Sequence, residues 1–317
     1  MPPEIADLHC HYPMHLFPQE HSPGGQGESC GEKLRNALQG LAVNVVAHLV
    51  NDERLTASWR VTLKGLEDGG AGLVCSVLYW PPAEFDFALR YKSPPLPAYF
   101  GDIAYQMETV EADLRKLDAA QKRVIVARTV AELEDPRMKF VHCVEGALQL
   151  GPGTTPNEID QNVQWLARRG VLYVTLAHLF YRQVATNAPA VPPLSERFYN
   201  LVFPQPKIGL TPLGVSVVEA MYKYKVLIDV SHMSQIALDE TFTLVERLDA
   251  ESGRDPYEFP LIATHVGMRT EGPDLQEYNL TAETVRRIRD RGGVVGLITA
   301  QHQLGKSSKS RSVHRPN

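Results

Sequence analysis

"TPLGVSVVEAMYKYKVLIDVSHMS", residues 211–234, changes its period once. From Leu213 to Tyr224 the apolar residues recur at helical spacing behind a Thr-Pro opening, which suits an N-cap followed by proline in the first turn. From Val226 to Val230 the run becomes short, apolar and β-branched, and it stops on the polar Ser231 and His232. A helix feeding directly into such a strand is the repeating unit of a parallel sheet.

The same unit recurs on both sides. Strands are expected at 5–11, 71–80, 139–146, 172–178, 226–232, 260–265 and 292–299, with helices over 99–120, 155–170, 211–225, 234–251 and 281–293. The stretch "RVIVAR" (123–128) reads as a lead-in rather than a strand. Two long connections, 12–40 and 179–210, interrupt the rhythm. The second is rich in proline and aromatics and is expected to be an ordered cover over a site. The 317 residues, 44% hydrophobic, fit one barrel-sized domain over 1–304. Residues 305–317, nearly devoid of apolar side chains, are expected to be a disordered polar tail.

A net charge of −5 gives no basic field, so nucleic acid is not an expected partner. No run of about 20 apolar residues suggests a membrane span, and "MPPEIADLH" lacks the marks of a signal peptide, so the expectation is a cytoplasmic protein with no membrane partner. Cys10, Cys30, Cys75 and Cys143 form no C-x-x-C pair and read as reduced thiols. Cys10 and Cys143 are set aside as metal ligands because each neighbours a better ligand facing the opposite way.

The strand ends carry the chemistry. They finish on "HCH", "VEG", "LAH", "VSH" and "ATH", giving His9, His11, Glu145, His178, His232 and His265. Taken singly, each histidine would read as a hydrogen-bonded cap, and Glu145 as a surface group. Together they lie at the carboxyl-terminal ends of the strands, where parallel barrels assemble active sites. His9 and His11, two apart on a strand, project to the same side. Imidazoles with one carboxylate form a ligand set for Zn²⁺ and similar ions.

Residues 139–300, through "CVEGALQLG", "RGVLYVTLAH", "GLTPLGVSVVEAMYKYKVLIDVSHMS", "LIATHVG" and "NLTAETVRRIRDRGGVVGL", resemble the membrane dipeptidase (renal dipeptidase, peptidase M19) family of the amidohydrolase superfamily. The resemblance implies an α/β fold, a TIM-type (β/α)8 barrel, holding two divalent metal ions, usually zinc, bridged by a glutamate and a water. It implies that Glu145 is the bridging ligand, His9 a ligand of the first metal, His232 and His265 ligands of the second, and His178 a catalytic residue that contacts substrate and supports the oxyanion.

Three positions depart from the family pattern. His11 stands where the family has an aspartate, and a metal is still expected there. Tyr278 stands where the family has the arginine that grips a dipeptide carboxylate; Arg269, in the same loop, is the expected substitute, and both are candidate substrate-binding residues. The eighth strand, with its proton-accepting aspartate, is missing from the seven counted, so an exposed sheet edge is expected to be covered by a second copy of the chain. Asp7 and Asp229, beside ligands, are assigned supporting roles. The resulting expectation is hydrolysis of a dipeptide or related small amide with a metal-bound hydroxide as nucleophile. The alternatives are a non-dipeptide amide, lactam or ester as substrate, or a weakly active or inactive metal-binding descendant.

Overall fold

The computed structural model describes residues 5–15, 61–84, 93–118, 123–151, 156–191, 194–269 and 277–298. Most of the 12–40 connection, Cys30 and the 305–317 tail therefore lie outside the described residues. The strands are β1 (Ile5–Cys10), β2 (Ala71–Leu78), β3 (Val124–Val126), β4 (Met138–Glu145), β5 (Tyr173–Thr175), β6 (Leu227–Asp229), β7 (Leu261–Val266) and β8 (Val295–Leu297). The helices are α1 (Leu63–Asp68), α2 (Pro81–Glu84), α3 (Ala98–Leu117), α4 (Pro156–Arg168), α5 (Glu196–Val202), α6 (Pro212–Tyr224), α7 (Gln235–Ser252) and α8 (Ala282–Asp290).

All strand pairs are parallel, in the order β1-β2-β4-β5-β6-β7-β8, seven staves curling into a nearly closed barrel. "RVIVAR" departs from the lead-in reading, since its centre is β3. That strand is no stave. It pairs with the first half of β4 (Val124 opposite Met138) on the edge whose second half carries β5 (Val144 opposite Val174).

Local chemistry fixes the helix ends. Thr211 caps α6 by accepting from the Gly214 amide, with Pro212 behind it, and Lys225 closes the helix in the left-handed conformation. Ser234 and Thr281 cap α7 and α8 in the same way. The 179–210 connection contains α5, capped by Ser195, which its proline-rich surroundings concealed from a periodicity reading. Among the described residues, no helix is long and apolar enough to cross a membrane.

The main core lies between the sheet and its helices, where Val74, Phe140, Val174, Ile228 and Leu261 of the strands are buried with Val163, Val217, Met221 and Phe242 of the helices. A smaller cluster, Cys75, Cys143, Tyr173 and Ile262, packs separately. Cys10, Cys75 and Cys143 are buried free thiols.

The barrel's seam lies between β8 and β1. No hydrogen-bonded pairing joins them among the described residues, and Leu297 is 69% exposed. The glycines of "GGVVGL" press β8 onto β7: a Cβ on Gly296 would stand 2.1 Å from the Thr264 carbonyl oxygen and 3.2 Å from Leu8 Cδ1 of β1. The first obstacle is backbone and cannot swing aside. Gly296→Ala is therefore expected to cost about 1–3 kcal/mol, read as a lower urea midpoint; an unchanged midpoint would remove β8 from this position.

Candidate metal centre

At the carboxyl ends of the strands six side chains meet. Glu145, the last residue of β4, is 1% exposed. His9 Nε2 stands 3.1 Å from Glu145 Oε1, and His178, His265 and His232 bring Nε2 to 3.3, 3.5 and 3.6 Å of the same oxygen. His11 Nε2 lies 3.4 Å from Oε2. The structure thus brings together every histidine and the glutamate expected at the site. His9 and His11 share a side as the strand period requires, with Nε2 atoms 3.2 Å apart.

His232 reaches inward through its backbone. Its φ is +65°, in the left-handed region. This conformation costs a β-carbon residue on the order of 1 kcal/mol, offset here by the Ala188 amide donating to the His232 carbonyl at 2.7 Å. His232 Nε2 then lies 2.9 Å from His265 Nε2.

Hydroxyl chains set two tautomers. Asp229, fully buried, accepts from the Ser231 amide and hydroxyl and from the Thr264 amide on Oδ1, and from the Thr175 and Thr264 hydroxyls on Oδ2. The Thr264 hydroxyl proton is thereby committed to the carboxylate, so its oxygen, 2.8 Å from His265 Nδ1, accepts from that nitrogen. The Tyr173 hydroxyl donates to the Leu8 carbonyl, leaving its oxygen to accept from His9 Nδ1 at 3.3 Å. Both imidazoles carry their hydrogen on Nδ1 and turn a bare Nε2 toward Glu145, which is the ligating form. Asp229 itself, although close to His9 and His265, has both oxygens filled by these donors. Asp7 lies outside the cluster and accepts from the His9 amide at 3.0 Å.

His178 differs from the others. Its Nδ1 is 2.5 Å from Glu84 Oε2, which also accepts from the Tyr79 hydroxyl (2.7 Å), while Glu84 Oε1 accepts from the Phe180 amide (2.9 Å). Burial alone would lower the His178 pKa, but the Glu145 and Glu84 carboxylates outweigh it and push it up to about 9. Burial dominates elsewhere, holding His11 down at about 4 and His232 and His265 below the ordinary histidine range. Glu145 stays well below the usual carboxylate range: burial opposes this, and the attraction of the neighbouring His178, the largest opposing influence, prevails.

The two expected substrate residues sit differently. The Tyr278 hydroxyl donates to the His265 carbonyl at 2.6 Å, and its ring meets His232 edge-on. Arg269 donates through Nε and one terminal nitrogen to the Asn279 and Glu277 carbonyls. Neither side chain hydrogen-bonds a nitrogen of the cluster. Cys143 shares the inward face of Glu145, two residues earlier on the same strand, instead of facing away from it. It packs with Cys75 and Tyr173 rather than joining the ligand group. The sequence reading missed Glu84, Tyr79, Thr175, Thr264 and Tyr173. Glu84 had one available signal: β2 was a strand with no polar residue assigned at its end, and Glu84 follows in the next turn.

The donor set suits a divalent cation. Three overlapping groups of possible ligands, His9-His11-Glu145, His9-Asp229-His265 and Glu145-His178-His232, each have ligand atoms within 4.8 Å of one another. Glu145 Oε2 and His232 Nδ1 are buried without a hydrogen-bond partner. A buried carboxylate surrounded by imidazole nitrogens, two of them bare, is poorly satisfied by protein alone and well matched to a borderline metal ion.

Comparison with known proteins agrees with this architecture. A Klebsiella pneumoniae protein described as "Uncharacterized protein in pqqA 5'region" is 37% identical over 89 residues, an alignment spanning 28% of this chain and 28% of that protein. Among solved structures, a Rhodobacter sphaeroides metallopeptidase liganded with a phosphinate mimic of L-Ala-D-Ala superposes with a TM-score of 0.57 at 20% identity, covering 84% of this chain and 72% of that one. Dipeptidase AC, a metallopeptidase of family M19, gives 0.56 at 20% identity, covering 85% and 70%. The probable dipeptidase PvdM of Pseudomonas aeruginosa gives 0.53 at 22% identity, covering 78% and 55%. The sequence pattern of the family described as membrane dipeptidase (peptidase family M19) matches residues 27–314, and the chain belongs to that family.

Proposed function

We propose that the chain is a metal-dependent hydrolase of the amide bond in a dipeptide or related small amide, working with two divalent ions, zinc first among the candidates. The observation that carries this reading is the convergence of five imidazole Nε2 atoms on one buried carboxylate, with the tautomers of His9 and His265 set for ligation. His9, His11 and Glu145 would hold one ion, and Glu145, His232 and His265 the other. Such ions polarise an amide carbonyl and lower the pKa of a bound water.

The protein's own groups do the rest. His178, which the Glu145 and Glu84 carboxylates keep protonated, presents an Nε2–H to the centre and donates to the oxygen on which negative charge builds. Asp229 holds the threonine that orients His265, and Asp7 holds the His9 backbone.

A second reading, hydrolysis of a small amide, lactam or ester without a free carboxylate, is favoured by one observation: the Tyr278 hydroxyl and two arms of the Arg269 guanidinium are engaged by backbone carbonyls. Turnover of a panel of dipeptides, their carboxyl-blocked amides and simple lactams, with added Zn²⁺, tests both. Zinc-dependent hydrolysis is expected, with blocked substrates cleaved within about tenfold of free dipeptides if no charged grip operates, a 1.4 kcal/mol difference. No turnover of any member with the site loaded would defeat the proposal.

A further inference from the structure

The proposed role of His178 leaves open what aims its ring. Glu84 sits at the end of α2, 94 residues earlier in the chain, and is 5% exposed. Its acceptor sites are filled from three directions: His178 Nδ1 and the Tyr79 hydroxyl on Oε2, the Phe180 amide on Oε1. Both hydroxyl and amide are pure donors toward a carboxylate, so the His178 nitrogen facing Glu84 bears hydrogen and Nε2 is left facing Glu145 at 3.3 Å. The Tyr79 ring packs edge-on against His178, centroids 4.7 Å apart, and the His232 ring also meets His178 edge-on at 4.6 Å.

We infer that Glu84 is the positioning residue of the reaction centre: through its bond to Nδ1 it fixes the rotation of the His178 ring so that the Nε2 edge points at the substrate carbonyl, with Tyr79 and the Phe180 amide holding Glu84 in turn. The inference rests on the proposed hydrolytic role of His178. It predicts a split between chemistry and ligand holding, because Glu84 lies against the one imidazole that is not assigned to a metal.

Glutamine at this position has one oxygen for three donors, and its amide hydrogens must oppose at least one of them. Glu84→Gln is expected to lower kcat by about 10²–10³-fold, the scale on which a positioned proton-donating group acts. KM should stay within about threefold and zinc content should be unchanged. Glu84→Asp keeps the buried charge and should recover part of kcat, and it carries the test if the glutamine chain does not fold. A second readout is independent of turnover. In histidine-labelled protein the Nδ1 hydrogen of His178, in so short a bond to a carboxylate, should give a far-downfield resonance that persists in the Tyr79→Phe chain and disappears in Glu84→Gln and His178→Ala.

Absence of that resonance from the unmodified protein, or a Glu84→Gln chain with unaltered kcat, would overturn the inference. So would loss of zinc in parallel with kcat, which would make Glu84 a structural prop of the whole cluster. If the unmodified chain cleaves no amide, the hydrolase reading fails by itself, and the resonance still decides whether Glu84 holds His178.

Discussion

Glu145→Gln is expected to fold and to lose its metal. The carboxylate is buried beneath five imidazole nitrogens at 3.1–3.6 Å, so it is placed to neutralise both proposed ions at once. Glutamine keeps the volume, removes that charge and turns an amide group toward nitrogens that need a cation or a proton. Loss of a residue that merely orients a ligand typically costs about 10–100-fold in metal affinity, and removal of the shared ligand should exceed that. Hydrolysis should fall at least about 10³-fold, since both the polarised carbonyl and the activated water depend on the ions. His178→Ala should keep its zinc while losing turnover. Metal analysis of the two variants after dialysis reads the difference; equal retention would contradict the assignment of Glu145.

Asp229→Ala should be the most destabilising single change in the barrel. Five donors, from Thr175, Ser231 and Thr264, end on this carboxylate; the Thr264 amide also reaches the Ser231 hydroxyl oxygen at 3.0 Å, and alanine leaves the other four buried without the acceptor they now share. Each orphaned group costs about 1–3 kcal/mol, and relaxation recovers only part of the sum. A loss of at least about 3 kcal/mol is expected in urea unfolding. EDTA must be present, so that metal linkage does not enter the comparison. A loss below about 1 kcal/mol would show that these bonds do not fasten β5, β6 and β7 together.

The barrel was legible because its units are local. Helix 211–225 and strand 226–232 announce themselves by period and capping, and α6 and β6 lie within those limits. The polar strand ends were legible for a related reason: a parallel barrel brings its carboxyl ends to one face whatever the intervening sequence. β3 was less visible because three residues are too few to show a period, and its pairing depends on a free half-edge of β4.

The supporting groups were harder to see. Thr264 matters through a proton committed to Asp229, and Glu84 through a histidine 94 residues away, relations that exist only once the barrel has folded. Tyr278 shows the opposite limit: its position marked it as a substrate contact, and the backbone carbonyl that takes its hydroxyl is contributed by β7.

Five of the six converging side chains, His9, His11, Glu145, His232 and His265, are proposed to hold two metal ions, with His178 beside them. The direct measurement is element-resolved mass spectrometry of the folded chain, loaded with Zn²⁺ and dialysed against metal-free buffer. The arrangement of Glu145 between the His9-His11 and His232-His265 pairs predicts two zinc ions per chain. A folded chain that retains none would contradict it.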